Sequence, residues 1–158
     1  GERGFVIQAG ERSKSVEIYL EIVNKLENTN RIIAFGGGVV GDLAGFIAST
    51  YKRGIKLIQI PTSLLAMVDS SIGGKNGINL GQHKNYLGTI CQPDKILIDF
   101  SFLRSLPEKE FKNGVAEIIK YGILFGKPTL ERLERGINLN DSDRSLSFFI
   151  CNLCKKNY

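Results

Sequence analysis

Arg31-Ile32-Ile33-Ala34-Phe35-Gly36-Gly37-Gly38-Val39-Val40-Gly41-Asp42 carries the strongest structural signal in this chain. An apolar, strand-like run ends in three glycines, and Leu43-Ala44-Gly45-Phe46-Ile47-Ala48 continues as a helix-like run. Read by position, the turn fits G-x-G-x-x-G in the strand–turn–helix setting that this motif requires. Glycine has no Cβ, so the backbone can turn tightly and come close to a ligand. The helix that follows points free N–H groups and its positive dipole end at the same place, which suits a phosphate or pyrophosphate. The stretch therefore predicts a bound phosphorylated cofactor, against the alternative of a tight strand-to-helix connection that holds nothing.

Residues 5–9 read as a short strand and residues 13–26 as a helix, with Val16, Tyr19, Leu20, Val23 and Leu26 at helical spacing. The helix after the glycine turn runs to about Lys52. Residues 56–60 form a second strand ended by Pro61, and residues 62–70 a helix with Thr62 or Ser63 as its cap. A glycine-rich loop is expected over 73–88 and a third strand over 95–99. From Pro107 the pattern is helical, with helices over 110–125, 128–135 and 144–155. Strand–helix alternation implies a parallel sheet covered by helices. The expected architecture is an α/β, Rossmann-like domain over residues 1–105, then the beginning of an all-helical domain over 106–158.

The chain has 158 residues, 42% hydrophobic and 23% charged, which is enough apolar material for one real core. No apolar run approaches the roughly 20 residues of a membrane span, and no signal peptide is expected. The net charge of +5 is spread along the chain without a long Lys/Arg run, which argues against a nucleic-acid surface and for anionic small ligands. Three cysteines fit reduced thiols in a cytoplasm. Cys151 and Cys154 form a C-x-x-C with no second pair nearby, a weak metal or redox signal.

Other clusters carry chemistry. Thr62 and Ser63 follow a strand directly, where hydroxyls can meet a ligand or simply cap a helix. Asp69 and Lys75 bracket a Ser/Gly segment that is either functional or a solvated loop. Lys84-Asn85 places an ammonium beside an amide, a pair suited to phosphate and hydroxyl groups. His83, the one histidine, reads as a surface residue. Glu117 and Lys120, at i and i+3, share a helix face. They are a surface ion pair or a metal carboxylate beside a substrate clamp, although one glutamate cannot complete a metal site. One feature of ordinary dinucleotide folds is missing: no acidic residue lies between Asp42 and Asp69, where the ribose-binding acid is expected.

Taken together, these blocks resemble the 3-dehydroquinate synthase family over residues 10–134. The resemblance is carried by the block from Gly36 to Phe46, Arg53-Gly54, the block from Pro61 to Lys75, Lys84-Asn85 with Gly88, Gln92-Pro93 and Glu117-Ile118-Ile119-Lys120. It implies conversion of 3-deoxy-D-arabino-heptulosonate 7-phosphate to 3-dehydroquinate and phosphate, in the shikimate pathway, by a carbon–oxygen lyase. The implied route is transient oxidation by NAD, phosphate elimination, reduction, and aldol closure, with a divalent metal, zinc or cobalt, as Lewis acid.

By the same resemblance, Gly37, Gly38, Val39, Val40, Gly41 and Asp42 hold NAD, with Glu11, Lys14, Thr62, Ser63, Lys84 and Ser105 completing its site. Asp69, Lys75, Asn85 and Lys120 hold the substrate, Arg53 reaches the phosphate of a substrate in the partner subunit of a homodimer, and Glu117 is one metal ligand. His83 departs from the family, which has glycine before Lys-Asn, and the family's two histidine metal ligands are not in this chain. The expectation is therefore an internal fragment of a cytoplasmic enzyme, inactive by itself. Competing readings are a related cyclase of the 2-deoxy-scyllo-inosose synthase type, an iron- or zinc-dependent polyol dehydrogenase, and a non-catalytic nucleotide-binding module.

Overall fold

The structure, a computed structural model, describes residues 4–125 and residue 131. Helix α1 (Val16–Lys25) begins where the Ser15 hydroxyl accepts from the Ile18 N–H at 3.3 Å. Strand β1 (Arg31–Gly36) leads through Gly37 into α2 (Gly38–Thr50), and a tight 3₁₀ turn (Tyr51–Arg53) returns the chain to β2 (Lys56–Pro61). A π-helical turn (Ala66–Ser70) precedes an antiparallel hairpin of β3 (Lys75–Leu80) and β4 (His83–Ile90). Strand β5 (Lys95–Ile96), a 3₁₀ turn (Phe100–Ser105) and α3 (Glu108–Phe125) complete the described chain.

Strands β1, β2 and β5 form a parallel sheet in that order, with Ala34 opposite Gln59 and Ile58 opposite Lys95. Parallel neighbours need a crossover, and α2 supplies it between β1 and β2. Ala34 and Leu57 are buried with Ala44 and Ala48 of α2, small residues that let helix and sheet approach closely. A second cluster joins Ile22 of α1 to Leu43, Ile47 and Ile78. A third packs Leu64, Met67 and Val68 against Leu103 and against Ile118 and Tyr121 of α3. Gly114 makes that contact possible: a Cβ there would lie 2.6 Å from the Leu64 side chain and 2.8 Å from the Leu65 backbone nitrogen.

Several expectations need correction. Residues 4–8 form no strand; Phe5 and Ile7 turn inward onto α1 and α2 while Val6 is fully exposed, so the alternation is real but has no ladder to join. The expected loop over 73–88 is the β3–β4 hairpin, whose glycines permit close strand approach: a Cβ on Gly77 would lie 3.0 Å from the Leu87 carbonyl. The helix expected over 62–70 is one α-helical turn passing into the π-helical turn. The third strand stops at Ile96, because Asp99 turns to accept from the Ser101 N–H at 2.9 Å and caps the next turn. Apart from Glu131, the helices expected at 128–135 and 144–155 lie outside the described residues, as do Cys151 and Cys154.

Candidate functional site

The glycine turn forms as the sequence predicts. Gly37 is the residue before α2, and the Gly41 N–H donates back to its carbonyl at 3.0 Å. Two hydroxyls face the turn from the segment after β2. A Cβ on Gly37 would lie 3.3 Å from Ser63 Oγ, and one on Gly38 would lie 3.3 Å from Ser70 Oγ. Side chains there would fill the space between backbone and hydroxyls, so the glycines keep open a small polar cradle at the positive end of a 13-residue helix. Ser63 also accepts from the Ala66 N–H at 3.3 Å, which makes it, rather than Thr62, the cap of the following turn.

Beside the cradle, Lys14 is buried, with only 4% of its side chain exposed. Its ammonium donates to Asp42 Oδ2 at 2.6 Å and to Asn85 Oδ1 at 2.5 Å, with Glu11 Oε1 at 3.7 Å. A buried ammonium needs such partners, since losing water without replacing its hydrogen bonds is costly. Burial pushes the Asp42 carboxyl above its ordinary pKa, and Lys14 opposes the push. The fold thus brings Asp42 and Asn85, which are far apart in sequence, to the Glu11–Lys14 turn as one cluster.

A second cluster lies on α3 and the π-helical turn. The Tyr121 hydroxyl donates to Asp69 Oδ1 at 2.6 Å. Burial and the Asp69 charge together push the Tyr121 phenol well above its usual range. Lys120 is hydrogen-bonded to Glu117, which raises the lysine pKa, and its ammonium lies 5.0 Å from the centre of the Tyr121 ring. The Asp69 charge also acts on Asp42, which links the two clusters electrostatically.

The other expected residues are placed less tightly. Lys75 and Lys84 are exposed at the two ends of the hairpin region, Lys84 beside Asn85. Val40 packs toward the Ala34–Leu57 core, and Val39 is half-buried. Arg53 is exposed at the end of a turn where Lys52 (φ 49°), Arg53 (φ 67°) and Gly54 (φ 119°) are successively left-handed. Ser105 is exposed and donates only locally, to the Phe102 carbonyl at 3.2 Å, so it is not drawn into the Lys14 cluster. Among the described residues no three His, Cys, Asp or Glu side chains come together as a metal site, so Glu117 has no companion ligands there.

Besides Ser70, three further residues support the site without a sequence motif that marks them. Gln59 is buried in β2 and donates from Nε2 to the Gly41 carbonyl at 3.2 Å, bracing the glycine turn from below. Tyr121 follows Lys120 directly on α3 and carries no motif of its own. Asn79 lies within the expected loop; a polar residue between Ile78 and Leu80 was its available signal.

Parallel strands, a glycine turn opening a helix, and a hairpin whose Asn85 meets Lys14 beside Asp42 of that helix define a Rossmann-like α/β fold with a dinucleotide-type turn. The family model described as 3-dehydroquinate synthase N-terminal matches residues 4–113. The chain belongs to the 3-dehydroquinate synthase family.

A relative named 3-dehydroquinate synthase, from Dictyoglomus thermophilum, is 46% identical over 159 aligned positions, 95% of this chain and 45% of the relative. The chain spans less than half the length of such relatives. Among solved structures, a 2-deoxy-scyllo-inosose synthase complexed with carbaglucose-6-phosphate, NAD+ and Co2+ is similar over 95% of this chain and 43% of its own, with TM-score 0.81 and 28% identity. The 2-epi-5-epi-valiolone synthase of Streptomyces hygroscopicus subsp. jinggangensis, with NAD+ and Zn2+ bound, is similar over 73% of this chain and 34% of its own, with TM-score 0.69 and 40% identity. No helix among the described residues is long and apolar enough to cross a membrane.

Proposed function

We propose that this chain is the NAD-binding part of a 3-dehydroquinate synthase and that the whole protein converts 3-deoxy-D-arabino-heptulosonate 7-phosphate to 3-dehydroquinate and phosphate. The observation that carries the reading is the Lys14 ammonium, which joins the glycine-turn helix at Asp42 to Asn85 on the hairpin. The open cradle at Gly37 and Gly38 fits a pyrophosphate, with Ser63 and Ser70 as hydroxyl partners. Asp42 and Glu11 are the acceptors suited to ribose hydroxyls, which supports a ribose held without a downstream acid. Bound NAD supplies reversible hydride acceptance.

The chain's own groups position and neutralise. Asp69, steadied by the Tyr121 hydroxyl, offers its second carboxylate oxygen to a substrate hydroxyl. Lys75, Lys84 and Lys120 provide positive charge for a phosphorylated, carboxylated substrate. Thr62, Val39, Val40 and Gly41 complete the cofactor side; Ser105 belongs there only if ligand binding draws it in. Glu117 is offered as one ligand for a zinc or cobalt ion; the described residues do not complete that site. Arg53, held out on its left-handed turn, serves the partner's substrate in a homodimer of a cytoplasmic enzyme. The boundary between cofactor and helical domains falls near Ser105, and the 158-residue chain alone does not turn over.

Phosphate release from the heptulosonate phosphate, with catalytic NAD and zinc and no net NADH, tests the activity on the chain and on any longer polypeptide that contains it. Release by the longer form alone supports the reading. Turnover by the 158 residues refutes the inactivity, and net NADH formation points to a dehydrogenase. The structural likeness to 2-deoxy-scyllo-inosose synthase favours a cousin cyclase as the second reading. Product analysis with the two sugar phosphates separates them.

A further inference from the structure

The β3–β4 ladder is irregular at one place. Ile78 pairs with Leu87 and Leu80 with His83, so Asn79 alone stands opposite Lys84, Asn85 and Tyr86. Such bulges re-aim side chains, and they need something to hold them. Asn85, inside the bulge, adopts a left-handed φ of 51°. Its N–H donates to Asn79 Oδ1 at 2.8 Å. The other end of the Asn79 carboxamide reaches the segment before α1: Nδ2 donates to the Glu11 carbonyl at 3.2 Å and to Glu11 Oε1 at 3.1 Å. The Asn79 N–H donates to the Lys14 carbonyl at 2.7 Å, beside an isolated bridge between Asn79 and Ser15.

We propose that Asn79 is a positioning residue, whose carboxamide pins the bulge carrying Lys84 and Asn85 to the turn carrying Glu11 and Lys14. One side chain thereby sets the separation of two segments that meet at the Lys14 ammonium. Without it, Asn85 loses the bond that holds its left-handed backbone, and Glu11 Oε1 loses a donor. The Lys14–Asp42 pair then faces an acceptor that is no longer fixed. The inference rests on the cofactor reading for its functional consequence and on the hydrogen bonds for its structural one.

The test uses the 158-residue chain and two variants, Asn79→Ala and the isosteric Asn79→Asp, which keeps the acceptor but places a carboxylate beside Glu11. Affinity for NAD is measured by titration calorimetry, and amide exchange is followed by NMR. The expected result is NAD binding about tenfold weaker in both variants. In Asn79→Ala, the Asn85 amide also loses protection while those of Ile78 and Leu87 keep theirs. In an Asn85→Ala background, which keeps the backbone N–H but removes the Oδ1 that accepts from Lys14, Asn79→Ala costs less, because part of its effect runs through that acceptor.

Equal loss in both backgrounds, or unchanged affinity, overturns the proposal. If the unsubstituted chain does not bind NAD, the cofactor reading fails, and amide exchange judges the positioning role alone: unchanged Asn85 protection in Asn79→Ala overturns it. If Asn79→Ala does not fold, affinity in Asn79→Asp decides.

Discussion

Replacing Gly45 by alanine should destabilise this protein, although the same change in an exposed helix interior gains about 1 kcal/mol. Gly45 is buried in α2, facing the hairpin. A Cβ there would sit 1.8 Å from Asn76 Oδ1, 2.3 Å from its Cγ and 3.0 Å from its Cβ. Asn76 is itself buried, and its Nδ2 donates to the Gly74 carbonyl at 2.8 Å and the Cys91 carbonyl at 3.0 Å. The amide has to swing away, so both bonds are lost, at about 1 kcal/mol each. The overpacking adds about 1–3 kcal/mol. Set against the helix gain, the net cost is about 2–4 kcal/mol, or a fall in Tm on the order of 10 °C. Urea unfolding followed by circular dichroism measures it. In an Asn76→Ala background the clashing amide is gone, and the cost of Gly45→Ala should drop by about 2 kcal/mol. An unchanged or raised midpoint for Gly45→Ala would refute the reasoning that α2 and the hairpin are locked through this contact.

Gly114→Ala, whose Cβ meets the Leu64 side chain and the Leu65 backbone, should cost about 1–2 kcal/mol net of the helix gain by urea unfolding and loosen α3 from the π-helical turn. Tyr121→Phe removes the hydroxyl bound to Asp69 and should cost about 1–2 kcal/mol; in the unsubstituted protein, absorbance titration should show Tyr121 ionising later than the exposed tyrosines. Asp42 has its folded pKa raised above 3.8 by burial, so its contribution to stability is fully present below 3.8 and is lost as pH rises through the folded value. Asp42→Asn, compared with the unsubstituted chain by urea midpoint from acid to neutral pH, should therefore gain relative stability as pH rises; a relative loss would reverse the assignment.

The sequence shows the glycine turn and its flanking elements clearly because their signals are local: an apolar run, glycines and a helical repeat. The hairpin was hidden because its glycines read as loop, while their use is cross-strand contact, which depends on a partner ten residues away. The short β5 was overestimated because Asp99 has a capping role that competes with the ladder. At the site, residue types were legible and their grouping was not. Nothing local tells that Lys14 contacts both Asp42 and Asn85, since those contacts span 28 and 71 positions. Asn79 and Tyr121 act through other side chains, so neither carries a motif of its own.

On the function proposed above, the turn at Gly37 and Gly38 is an NAD cradle. Titrating NAD into the 158-residue chain and into Gly38→Ala tests it most directly, because the added Cβ enters the space 3.3 Å from Ser70 Oγ without disturbing the core. The account predicts saturable binding by the unsubstituted chain and binding at least about tenfold weaker by Gly38→Ala, with both equally folded. No binding by the unsubstituted chain, or equal binding by the two, would contradict it.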